Sequence, residues 1–247
     1  GLSRALGLDY RRVQFTPDTM PSDIVGFSVY NRESGEFEYK SGAVNCHLFL
    51  GDELNRTSAR TQAALLEVME ERAVTVDGVT YPVPDPFICI GTENPLGAAG
   101  TQPLPESQLD RFMIRLSIGY PDTDTQIRLI EEREQGNPLD SVSNILSAEE
   151  LKKIQKSLSA IAVNREMYRY MTILCEQTRE DPMVLTGVSP RGILALAQMA
   201  RACACVHGRD YVVPEDVREV FADVCAHRLI LTTQAKIDGV RAEDILN

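Results

Sequence analysis

Apolar positions along the chain follow two periods, and the change from one to the other falls near residue 120. Before that point, short runs of β-forming residues at 10–15, 47–50, 87–92 and 112–118 predict strands. One helix stands out among them at 58–72, where Leu65, Leu66 and Met69 share a face at helical spacing. Strands alternating with helix point to an α/β layer. Two hairpins interrupt it. The segment 74–81 places β-forming residues on both sides of Asp77-Gly78, a pair suited to the positive φ angles of a tight turn. A weaker hairpin pattern at 27–39 turns around Glu33-Ser34-Gly35.

Beyond Pro121 the β-type runs are expected to stop and helices to follow one another. Ser147 and Glu150 form a capping box, and Asn164 sits where another helix would begin. Ser189-Pro190 and Val213-Pro214 put proline in a first helical turn, while Gly208 marks a stop. The pattern predicts an α/β region at 1–120 and a helical bundle at 121–247, hinged near Gly119-Tyr120-Pro121.

Composition narrows the function classes. With 247 residues and 43% hydrophobic side chains, the chain can bury a real core. Its formal net charge of −11 is spread over both halves, which weighs against a nucleic-acid surface. No apolar run approaches the ~18 residues of a membrane span, so no membrane partner is expected. The six scattered cysteines include no C-x-x-C pair, which fits a reducing, cytoplasmic setting. His47, His207 and His227 lack metal-ligand spacing.

Four segments could carry chemistry. In Leu48-Phe49-Leu50-Gly51-Asp52-Glu53, an apolar run ends in adjacent carboxylates, as at the ligand crevice of an open α/β sheet. Asp52 could hold Mg²⁺ through water and Glu53 could polarise an attacking water; a solvated strand-to-loop turn fits the same residues. A second run, 87–92, leads to Glu93-Asn94-Pro95. Asn94 could orient that water, or belong to an ordinary Asn-Pro turn. In Leu104-Pro105-Glu106-Ser107-Gln108-Leu109-Asp110-Arg111-Phe112, Arg111 precedes the expected last strand. It could stabilise a transferring phosphoryl group, reach a neighbouring subunit, or pair with Asp110 or Glu106. Arg191, in Gly187-Val188-Ser189-Pro190-Arg191, falls in the first turn of a helix. A cation there opposes the helix dipole and calls for an anionic ligand or a partner carboxylate.

The order and wording of these segments resemble the AAA+ ATPases, and within them the MoxR family. Asp52-Glu53-Leu54-Asn55-Arg56 is similar to that family's Walker B segment, Gly91-Thr92-Glu93-Asn94-Pro95 to its sensor 1, 104–112 to its arginine-finger stretch, and 187–191 to its sensor 2. The resemblance implies a P-loop NTPase core with a parallel sheet, followed by an all-α lid. It makes Asp52 the Mg²⁺ residue, Glu53 the catalytic base, Asn94 the water-orienting residue, Arg111 the finger and Arg191 a nucleotide contact. By the same likeness the 27–39 hairpin is an insert in the family's helix 2, and 74–81 its hairpin before sensor 1. ATP and Mg²⁺ are the cofactors implied. A hexameric ring acting on protein clients is implied as well, often alongside a protein with a von Willebrand A domain, in maturation or metal-cofactor insertion. A non-catalytic scaffold with the same fold is the alternative.

None of the five lysines, Lys40, Lys152, Lys153, Lys156 and Lys236, follows a glycine, so no G-x-x-x-x-G-K-[ST] loop is present in this sequence. The family pattern places the first strand and that loop upstream of residue 1, with the opening residues as the tail of the helix that follows. On this reading the chain alone binds ATP poorly and does not turn it over.

Overall fold

The computed structural model describes residues 1–94 and 104–246. Pro95, the last residue of the sensor-1-like motif, lies outside them. The chain divides into two compact units. The first comprises Gly1–Leu104 and Ile118–Lys152, the second Pro105–Ser117 and Lys153–Asn247. The single cut at 120/121 that the sequence pattern suggests is therefore corrected: residues 105–117 fall in the second unit and residues 121–152 in the first.

Within the first unit, strands β1 (Tyr10–Gln14), β4 (Leu48–Asp52) and β7 (Ile88–Gly91) form a parallel sheet in the order β1-β4-β7. Leu48 and Phe49 are buried on opposite faces of β4, as expected of a central parallel strand. Phe15, Ile24, Leu54, Leu65, Leu66 and Val68 complete this core. Leu65 and Leu66 come from the helix Ala59–Glu71, whose start is capped by Ser58 Oγ accepting from the Thr61 amide. The register pairs Gln14 with Asp52 and Gly51 with Gly91, so the carboxyl ends of all three strands share one edge.

Both expected hairpins form. Strands β2 (Gly26–Asn31) and β3 (Glu36–Ser41) are antiparallel, as are β5 (Ala73–Val76) and β6 (Val79–Pro82). Asp77 and Gly78 turn the second hairpin with φ of 50° and 79°, the left-handed values a primed turn requires. The opening residues include the short helix Leu2–Ala5, and Lys152 pairs with Asp85 at 3.4 Å.

The second unit has its own core, built on Met171, Cys175, Leu196, Ala200, Val217, Val224 and Cys225. Its long helices begin where the sequence says they should. Asn164 Oδ1 accepts from the Met167 amide at 2.8 Å, and Ser189 and Val213 precede the proline-led helices Pro190–Val206 and Pro214–Cys225. In the first unit, the Ser147–Glu150 box closes reciprocally at the start of Ala148–Ser157.

Two further expectations need correction. First, residues 112–118 are not a strand. Their backbone is claimed within the second unit: the Arg115 amide donates to the Asp223 carbonyl at 2.9 Å, Ile114 packs on that unit's core, and Arg228 takes the carbonyls of Phe112 and Met113. Those partners take the Arg115 amide and the Phe112 and Met113 carbonyls, groups that a strand would give to a ladder. Second, β structure does not stop at Pro121, because β8 (Val184–Thr186) pairs antiparallel with β9 (Ile230–Leu231). Both are too short for periodicity to register. All six cysteines are free, and no helix among the described residues is long and apolar enough to cross a membrane.

Candidate active site

The acidic pair ends β4 at the carboxyl edge of the sheet. Asp52 is the last strand residue, and Glu53 turns out of the ladder in the left-handed region, at φ 57° and ψ 52°. That twist sends the two neighbouring carboxylates to different partners. Asp52 Oδ1 accepts from the Thr92 hydroxyl at 3.0 Å, and its Oδ2 faces Arg12, at 2.6 Å from Nε and 2.5 Å from Nη2. Glu53 Oε2 accepts from Gln14 Nε2 at 2.8 Å and Arg56 Nη1 at 2.7 Å. A positive φ on a glutamate costs about 1 kcal/mol or more, and is retained only where the surroundings impose it.

Thr92 is what imposes it. One residue beyond β7, its amide donates to the Gly51 carbonyl at 2.9 Å and its carbonyl accepts from the Leu54 amide at 2.9 Å. Its hydroxyl also accepts from the Glu53 amide at 3.0 Å. The backbone on both sides of Glu53 is thus fixed to one threonine. Asn94 follows two residues later at the same edge, its carbonyl accepting from Asn55 Nδ2 at 3.1 Å. Asn55 is buried, so the loop that carries Asn94 is tied to an interior side chain.

The structure therefore brings Asp52, Glu53 and Asn94 to one sheet edge in the first unit. Arg111 and Arg191 belong to the second unit, and there Asp110 gathers the segments that carry them. The Ser189 hydroxyl donates to the Asp110 carboxylate at 3.1 and 3.0 Å, Arg228 Nε donates to Oδ1 at 2.9 Å, and Arg191 Nη1 lies 4.0 Å from Oδ2. The carboxylate partner that a cation in a first helical turn calls for is thus present. The Arg228 side chain is 2% exposed, and the loss of solvent lowers its pKa from the usual guanidinium value against the opposing pull of the Asp110 carboxylate.

The donors at the sheet edge are carboxylate and hydroxyl oxygens, the hard ligands that suit Mg²⁺. Arg12, side chain 58% exposed, already places a positive charge against Asp52. Sequence reasoning missed Thr92, Arg12 and Gln14 around the carboxylates, and Asp110 and Arg228 in the second unit. Arg12 and Gln14 alternate on β1, and only the parallel register reveals that they face the end of β4.

A parallel sheet ending in an acidic pair, together with a separate helical unit, defines the class: an AAA-type ATPase core with its lid. Residues 1–114 match the model of the ATPase family associated with various cellular activities (AAA), and residues 176–247 match the AAA lid domain. The chain is 41% identical to the uncharacterized protein YeaC of Bacillus subtilis, over 99% of its own length and 77% of that protein's. It is 38% identical to chaperone MoxR1 of Mycobacterium tuberculosis, over 99% and 67%. A crystal structure from Cytophaga hutchinsonii, described as a candidate ATPase, superposes with a TM-score of 0.91 at 36% identity, covering 99% of this chain and 77% of that one. The chain belongs to the MoxR family of AAA+ ATPases.

Proposed function

We propose that the full-length protein hydrolyses ATP in a cytoplasmic ring, a hexamer by the family pattern, and uses the cycle to remodel or mature protein partners. A partner with a von Willebrand A domain, and insertion of a metal cofactor, fit this reading. Nucleic acid does not, given the net charge of −11. The chaperone description of the M. tuberculosis relative supports the reading.

The observation that carries it is the Thr92 clamp, which holds Asp52 and the Glu53 backbone at one sheet edge while their carboxylates take different partners. Such an arrangement suits two different tasks. Asp52 would hold Mg²⁺ through water, and the ion would neutralise charge on the phosphates. Glu53 would accept a proton from water as the water oxygen bonds to the γ-phosphorus and the bond to the β-phosphate oxygen breaks, leaving ADP and phosphate. Asn94 would orient that water. Arg111, acting across a subunit interface, and Arg191, on its own subunit's nucleotide, would stabilise charge on the phosphoryl group. A head-to-tail interface of this kind closes into a ring or extends as a filament.

Glu53→Gln in the full-length protein is the test. Nucleotide binding should persist while turnover falls at least a hundredfold, on the order of the loss of a general base. Hydrolysis at the normal rate would remove Glu53 from the role.

A non-catalytic scaffold is the second reading, favoured by Arg12 seated on Asp52. For this chain by itself we expect weak ATP binding and no turnover. Calorimetry showing micromolar ATP affinity for the 247-residue chain would contradict that expectation.

A further inference from the structure

The proposed roles of Arg111 and Arg191 treat them as independent cations. One acts on a neighbour's nucleotide, the other on its own subunit's. The second unit joins the segments that carry them through a single carboxylate. Asp110 immediately precedes Arg111. It accepts from Ser189 Oγ, and Ser189 is the cap of the helix whose second residue is Arg191. Both Asp110 oxygens are engaged by that hydroxyl, and Oδ1 also accepts from Arg228 Nε at 2.9 Å.

Arg228 widens the link. Its Nη2 donates to the carbonyls of Asp110 at 3.2 Å and Phe112 at 2.7 Å, so the backbone on both sides of Arg111 rests on one guanidinium. The same side chain presses against the start of the Arg191 helix, where a Cβ on Gly192 would lie 2.8 Å from Arg228 Cδ and 2.5 Å from a Val188 methyl. His227 adds a contact at 3.0 Å between its Nε2 and the Phe112 carbonyl. A surface salt bridge would need none of this. Burial of a guanidinium whose Nε and Nη2 are directed at Asp110 and Phe112, with Nη1 shared between the Met113 and Val224 carbonyls, fixes that segment's place.

We infer that Asp110 is a positioning residue that yokes Arg111 to the first turn of the Arg191 helix through Ser189 and Arg228, so that the two cations change place together. This rests on the ATPase reading of the two arginines. It adds that a nucleotide felt by Arg191 in one subunit is passed to Arg111, and so to the neighbouring subunit's site.

The test is a double-mutant cycle in the full-length assembled protein, with ring assembly and thermal unfolding checked for each variant. Asp110→Asn should lower kcat by about ten- to a hundredfold, the cost of misplacing a group by an ångström or so, while ATP affinity stays within about twofold. Cooperativity between subunits should fall with it. The discriminating arm is Asp110→Asn combined with Arg111→Ala, which should turn over no more slowly than Arg111→Ala alone. A merely structural role would make the two losses multiply, and that result overturns the inference, as does normal kcat and cooperativity in Asp110→Asn. If Asp110→Asn does not assemble, Arg228→Lys keeps the charge but loses the fork, and the same cycle is run with it. Failure of the underlying reading is seen separately, as normal turnover in Arg111→Ala alone.

Discussion

Thr92 holds Asp52 from the neighbouring strand: its hydroxyl donates to Asp52 Oδ1 at 3.0 Å while accepting from the amide of Glu53 at the same distance. One side chain thereby sets the direction of one carboxylate and the backbone turn that aims the other. Glycine-like backbone and acid chemistry meet at a point where neither strand alone would place them.

Thr92→Val keeps the shape of the side chain and removes both hydrogen bonds. The loss should destabilise the first unit by about 1–2 kcal/mol. In the full-length protein it should lower turnover about tenfold or more, with ATP affinity little changed. Thr92→Ser, which keeps the hydroxyl, should retain most of the activity. Steady-state phosphate release on the two variants checks this; equal rates would show that the hydroxyl does not aim the pair.

The second unit should lose stability in mild acid through His227. Burial, aided by the charge on Arg228, pushes its pKa from 6.5 down to about 4, with Arg115 opposing protonation and Asp110 favouring it. Between those values the unfolded chain holds the extra proton and the folded chain does not. The contribution is therefore complete above pH 6.5 and is lost as the pH falls toward 4, by about 3 kcal/mol for the whole interval. Denaturant unfolding at pH 7 and pH 4.5 measures it, and His227→Gln should flatten the profile in that window.

Asp216→Ala should be among the more damaging single changes in the helical unit. The Asp216 side chain is fully buried, accepts from the Val213 amide at 2.9 Å at the start of Pro214–Cys225, and pairs with Arg209. Removing it takes away a cap and leaves a guanidinium without its carboxylate, at a cost of roughly 2–4 kcal/mol. The shift in the denaturation midpoint gives the value. Asp216→Asn, which keeps a cap acceptor, should lose less.

Much of this was legible in the sequence where local chemistry decides the outcome. Asp77-Gly78 announced its turn, Ser58, Ser147 and Asn164 their helix starts, and the run ending in Asp52-Glu53 its place at a sheet edge. The failures share a cause. Residues 112–118 have strand composition, but their hydrogen bonds go to Asp223 and Arg228, more than a hundred residues away. Composition speaks for what a segment prefers, not for which partner reaches it first. The same holds for Thr92 and Arg12. A threonine and an arginine carry no mark of their role until the parallel register sets them beside Asp52. The separate partners of Asp52 and Glu53 likewise depend on a backbone angle that no periodicity predicts for a glutamate.

That angle has a consequence for how position 53 responds to change. Glycine or asparagine would relax there, and a chain ranked purely by durability would do no worse with either. Holding an acid in that contorted seat makes sense only for what its oxygens accomplish, so thermal robustness and competence are expected to separate at this one residue.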